Sequence, residues 1–112
     1  MREKIFVQNL KKAIIDENTI IYKNLLDNYD EKEVTNEYWS ELLPFYRGLP
    51  LEKQVLIIKL IQQTAVDTVS NFLGIVDGVV DFPIEIKLMD VSENKIFEDE
   101  LQDLFLENVE ED

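Results

Sequence analysis

From Leu51 to Val76 the chain places Leu51, Val55, Ile58, Ala65, Val69, Phe72 and Val76 at alternating spacings of four and three, with Gln62 in the one polar place. That is the repeat of one helix face. Leu56, Leu60, Ile61, Val66 and Leu73 widen the stripe and leave Lys59, Gln63, Asp67, Ser70 and Asn71 as its polar strip. A helix apolar around so much of its girth is expected at the centre of a bundle, because no single neighbour can cover it. Its ends carry suitable signals. Gly48 suits a left-handed cap closing the preceding helix, and Pro50 suits the first turn, where its missing amide costs little. After Asp77-Gly78 the period changes.

The flanking segments read as further helices and one small sheet. Ile5, Phe6, Leu10, Ala13 and Ile14 fall at helical spacing, and the pattern continues through Ile20, Ile21, Leu25 and Leu26 to Tyr29. One long helix or two nearly collinear pieces are expected, with Asn18 or Thr19 capping the second if the chain breaks. Residues 27–34 read as a connector. Thr35 is the predicted cap of a helix carrying Tyr38, Trp39, Leu42, Leu43, Phe45 and Tyr46, which Pro44 should kink or end. Ile84, Ile86 and Leu88 alternate with Glu85 and Lys87 as in a half-buried strand, and Lys95-Ile96-Phe97 reads as its return. A last helix shows Leu101, Leu104, Phe105 and Val109 on one face, followed by an acidic tail over 107–112 expected to fray. The expectation is a single domain over 1–112, mainly α (α+β), with a bundle around the 50–76 helix, a small β-hairpin over about 82–97 and a C-terminal helix.

Charge is distributed unevenly. The formal net charge is −13, and residues 77–112 alone carry 13 acids against 2 bases. Such a segment repels phosphates, so direct binding of nucleic acid or of an anionic membrane is not expected. It attracts a basic partner and speeds the encounter. A purely solubilising role for the same acids is the competing reading. Neither a signal-peptide core nor a bilayer-spanning stretch is present, and cysteine is absent, so a cytoplasmic location is expected.

Catalytic readings lack their residues. With no His and no Cys, nucleophile–imidazole pairs and the usual zinc ligand sets cannot be built. The three glycines, Gly48, Gly74 and Gly78, stand singly and form no phosphate cradle. Asp90, Ser92 and Asn94 match alternate positions of a calcium loop and Glu98 falls at its ninth, but Lys95 holds the glycine position and Leu101 that of the bidentate glutamate. A polar turn is expected there. Asp67 shares its strip with Lys59, Gln63 and Asn71 and is expected on a solvated or intra-helix-bonded face. No cofactor, metal or catalytic residue is expected.

The segment Tyr46-Arg47-Gly48-Leu49-Pro50-Leu51-Glu52 enters the apolar helix, which carries Asp67 and ends in Leu73-Gly74-Ile75-Val76-Asp77-Gly78; Asp99-Glu100-Leu101-Gln102-Asp103-Leu104-Phe105-Leu106 follows after the strand. Over roughly residues 40–108 this order resembles small acidic bacterial proteins of the kind found as immunity proteins beside secreted toxins. The resemblance implies a non-enzymatic protein that binds and neutralises a toxin. The candidate partner-binding residues are the acids Asp77, Asp81, Glu85, Asp90, Glu93, Glu98, Asp99, Glu100 and Asp103, with Trp39 as an aromatic anchor if it is not core. Two alternatives stand beside this. One is a housekeeping or regulatory protein acting as a homo-oligomer through its apolar helices; the other is a DNA mimic that blocks a nucleic-acid-binding protein.

Overall fold

The computed structural model describes residues 2–98 and 100–111. It is mainly helical, with a two-stranded sheet and a C-terminal helix, and measures 49 × 29 × 28 Å. Helix α1 spans Arg2–Leu10, a π-helical segment spans Lys11–Asp16 and α2 spans Glu17–Asn28. The backbone stays helical at Leu10 and at Asp16, so these three pieces form one continuous rod. No cap interrupts it at Asn18 or Thr19: the Thr19 hydroxyl donates to the Ile15 carbonyl at 2.6 Å. The widened turn keeps Val7, Lys11 and Ile15 on the buried side.

Asn36, not Thr35, caps α3 (Glu37–Arg47), its side chain accepting from the Trp39 amide at 3.1 Å. Pro44 does not end this helix, which runs on for three residues to Arg47. Nor is Gly48 left-handed: its φ is −79°, and a Cβ there would lie 3.2 Å from the Pro44 carbonyl. Arg47 ties the end of α3 to the end of α2, donating to the Leu26 and Tyr29 carbonyls and pairing with Glu31. Carbonyls that the helix end leaves without amides thereby gain a cationic donor.

Helix α4 spans Leu51–Asp77, and Pro50 precedes it with an extended ψ of 153°. It ends in a left-handed glycine, Gly78 at φ 81°, whose amide bonds the Ile75 carbonyl while the Val79 amide bonds that of Gly74. The following strand is shorter than the alternation of residues 84–88 suggests. Only β1 (Met89–Asp90) and β2 (Lys95–Ile96) pair, antiparallel, with the Phe97 amide on the Leu88 carbonyl extending the ladder by one bond. Residues 84–87 are not part of the ladder, which stops where the chain leaves β2 for α5 (Leu101–Glu110). Ile86 and Leu88 still pack on the core, so the alternation is real but the strand is not.

Two apolar clusters hold the molecule. The larger joins Val7 and Ile15 to Val66, Val69, Leu73 and Val76 of α4 and to Leu101 and Phe105 of α5. The smaller joins Leu26, Leu43 and Tyr46, with Ile58 and Ile61 of α4 against them. Helix α4 is central to both clusters and is covered most fully in its second half. In its first half Leu51, Val55, Leu56 and Leu60 are 76, 46, 56 and 63 % exposed.

Candidate functional site

The structure distributes the candidate acids among three roles. Asp77 is structural. As the last residue of α4 it reaches the start of α5, where its two carboxylate oxygens accept from the amides of Leu101 at 3.1 Å and Gln102 at 2.8 Å. The local cap position cannot do this, because Glu100 sits in a left-handed conformation at φ 76° with no side-chain bond to the helix. Asp90 is structural as well. Its Oδ1 accepts from the Ser92 hydroxyl and the Glu93 amide, closing the 91–94 turn, and both Asp90 and Glu93 pair with Arg2. This is the polar turn expected from the failed calcium pattern, and among the described residues no group of acids is placed to hold a metal ion.

Glu98 and Glu3 form a second tie to α1. The Glu98 amide donates to Glu3 Oε2 at 2.8 Å, and that bond holds the Glu3 carboxyl below its ordinary value. The Glu98 side chain itself is exposed. Asp99 lies outside the described residues.

The remaining acids face solvent. Asp81 and Glu85 border a cleft of about 380 Å³ whose floor includes Ile75, Val76 and Val80, with Phe82, Pro83 and Ile84 along its rim and Lys87 among its lining residues. On α5, Asp103, Glu107 and Glu110 are exposed at successive spacings of four and three, opposite the buried Leu101 and Phe105. Helical geometry puts them in one column, with Glu100 before it and Glu111 after it. None of Glu100, Asp103, Glu107 or Glu110 forms an ion pair among the described residues. Lys4 borders the same small hollow as Glu107 and Glu111. Reading 107–112 as a tail hid the second half of this column. The sequence signal that could have revealed it is the four-and-three spacing of the acids themselves.

Trp39 lies apart from this acidic surface. It is partly buried in the smaller cluster, stacks on Tyr22 with ring centroids 6.2 Å apart and meets Tyr38 edge-on at 6.4 Å. It also lines an apolar hollow of about 250 Å³ with Leu25, Tyr29, Val34, Thr35 and Asn36. Tyr38 and Phe45, 66 and 59 % exposed, are the aromatics that α3 leaves open. Asp67 stands where the spacing put it, exposed and accepting from Gln63 Nε2 at 2.9 Å. Among the described residues no helix is long and apolar enough to cross a membrane. Compared with family models, with curated proteins and with solved structures, the chain matches none.

Proposed function

We propose that the chain is a non-enzymatic binding protein of the immunity type, working in the cytoplasm, whose partner is a basic toxin or effector domain. The observation that supports this reading is the column Asp103, Glu107 and Glu110 on α5, exposed and without ion pairs among the described residues. Like charges one turn apart on a helix repel and weaken it. A column of them costs the isolated domain stability that a cationic partner returns. Glu85 and Asp81 beside the neighbouring cleft extend the same field, and its apolar rim residues Phe82, Pro83 and Ile84 supply surface whose burial adds affinity. Asp77, Asp90 and Glu93 drop out of the contact surface, since each already holds the fold together.

Affinity capture from the source cells, eluted by stepwise salt, tests the reading against the variant Asp103→Asn/Glu107→Gln/Glu110→Gln. The expected result is a basic protein retained at low salt, released at moderate salt and lost from the variant, because surface attraction is screened over about 8 Å at physiological ionic strength. A partner held equally by the variant, or capture of this chain alone, overturns it.

A further inference from the structure

We infer that the first half of α4 is a self-association face, on which a second copy of this chain docks its own α4 antiparallel across a two-fold axis lying between Val55 and Leu56. The face is open for a structural reason. Over Val66–Asp77 the line of α4 that carries Val66, Ser70 and Leu73 is covered by α5 and the π-helical segment. Helix α5 stops there: Val109, with Lys11 and Ile15 of the π-helical segment, borders one hollow with Lys59, Gln62, Gln63 and Val66. Followed toward the N-terminus, the same line passes through Lys59 and Glu52, both exposed. The smaller cluster lies on another side of α4, against Ile58 and Ile61, and Gln54 bonds the Tyr46 carbonyl there, so α2 and α3 leave this line free.

The face is self-complementary. Glu52 and Lys59 stand two turns apart on its midline, Leu51 and Val55 flank one side, and Leu56 and Leu60 flank the other. Neither Glu52 nor Lys59 has an ion pair among the described residues. A two-fold axis between Val55 and Leu56 brings Glu52 of each copy opposite Lys59 of the other, because an isologous contact repeats every pairing twice. The same axis sets Val55 against Val55 and Leu56 against Leu56. A parallel alignment in register instead opposes like charges at both midline positions. The antiparallel arrangement also brings the start of one copy's α4 up to the end of the other's α5. The former is the positive end of a helix; the latter is a negative end carrying Glu110 and Glu111.

The exposed area suits a reversible dimer. Leu51, Val55, Leu56 and Leu60 are 76, 46, 56 and 63 % exposed. An aliphatic patch of this kind, on the order of several hundred Å² per copy, is at the low end of specific interfaces, where weak, reversible association is expected. This inference does not rest on Asp103 and Glu107 of the acidic column of α5; only the end of that column, at Glu110 and Glu111, comes near the second copy.

Sedimentation equilibrium on the full chain tests it, from a few micromolar to several hundred. The wild type is expected to rise from 13.2 kDa toward twice that mass. Leu56→Glu, which sets two carboxylates together at the axis, is expected to stay monomeric. Glu52→Lys and Lys59→Glu are each expected to raise the dimer dissociation constant about tenfold, since the symmetry counts every reversal twice, and the double reversal to recover most of that loss. Helicity by circular dichroism accompanies each sample; should Leu56→Glu unfold, the charge-reversal cycle on folded variants decides. A wild type that stays monomeric, or a double reversal no better than the worse single one, overturns the proposal.

Discussion

Removing the Asp77 carboxylate should cost more than any other single surface acid, because one side chain at the end of α4 starts a helix 24 residues away in sequence. Asp77→Ala deletes both acceptors for the Leu101 and Gln102 amides. Those amides are half-buried against the core that Leu101 and Phe105 enter, each 0 % exposed, so water replaces the carboxylate poorly. Losing an N-cap costs about 0.5–2 kcal/mol, and charged acceptors lie at the upper end of hydrogen-bond values. One term opposes this. A carboxylate at the last residue of α4 sits at the negative end of that helix, and its removal returns about 0.5 kcal/mol. The net loss is about 1.5 kcal/mol, or about 6 °C in Tm for a chain of this size.

Asp77→Asn separates the contributions. It retains one acceptor and relieves the charge at the end of α4, so it should cost about half as much as alanine. Urea denaturation followed by far-ultraviolet circular dichroism measures both variants. The slope of the transition should be unchanged, since α5 still docks through Leu101 and Phe105. An alanine variant within about 0.5 kcal/mol of wild type refutes the reasoning, and so would an asparagine variant costing more than alanine.

Two further outcomes follow from close packing and from burial. Gly74→Ala puts a Cβ 2.6 Å from Val80 Cγ2 and 2.9 Å from Gln102 Nε2, the side chain that also bonds Ser70. The helix-propensity gain of about 1 kcal/mol is outweighed by overpacking, so the urea midpoint should fall; a rise shows that the neighbours yield without cost. Burial pushes the Tyr46 phenol above its ordinary value of 10.0, with the Asp27 carboxylate adding to the shift, and the side chain is 2 % exposed. A group whose pKa is raised by folding contributes stability that is intact below its unfolded value and lost as pH rises through the folded one. Tyr46→Phe should therefore lose less Tm than wild type between pH 7 and about pH 10.5, and parallel melting curves over that interval refute it.

How far the sequence could be read depended on whether a feature was local. The extent of α4 and the solvated Asp67 follow from periodicity and from residues within a turn of each other, and the structure has them, whereas the left-handed glycine expected at Gly48 stands at Gly78 instead. The cap of α5 was not legible. Its acceptor comes from Asp77, and nothing local to Leu101 announces that Glu100 is left-handed. The π-helical turn was equally hidden, because moving a hydrogen bond by one residue leaves the apolar spacing of Val7, Leu10, Ile14 and Ile15 compatible with an ordinary helix. The strand over 84–88 failed for another reason: alternation reports one buried face, while a strand also needs a partner, and β2 is only two residues long.

Apolar residues around much of the girth of α4 place it at the centre of the bundle, where the structure has it, and its cover is fullest where α5 and the π-helical segment run beside Val66, Val69, Leu73 and Val76. Eleven residues connect α4 to β1, and the small sheet then returns the chain to the same half, so α5 spends its ten residues there and ends near Gln62. The uncovered half therefore reflects the length and direction of α5 rather than weak patterning along α4. Polar residues at Leu51, Val55, Leu56 and Leu60 would give the isolated chain an equally good helix, since the core contacts of this half come from Ile58 and Ile61 on a different side. What those four residues lack within the chain is a surface to pack on. The antiparallel second copy supplies one, using the Glu52 and Lys59 charges that the chain leaves unpaired among its described residues.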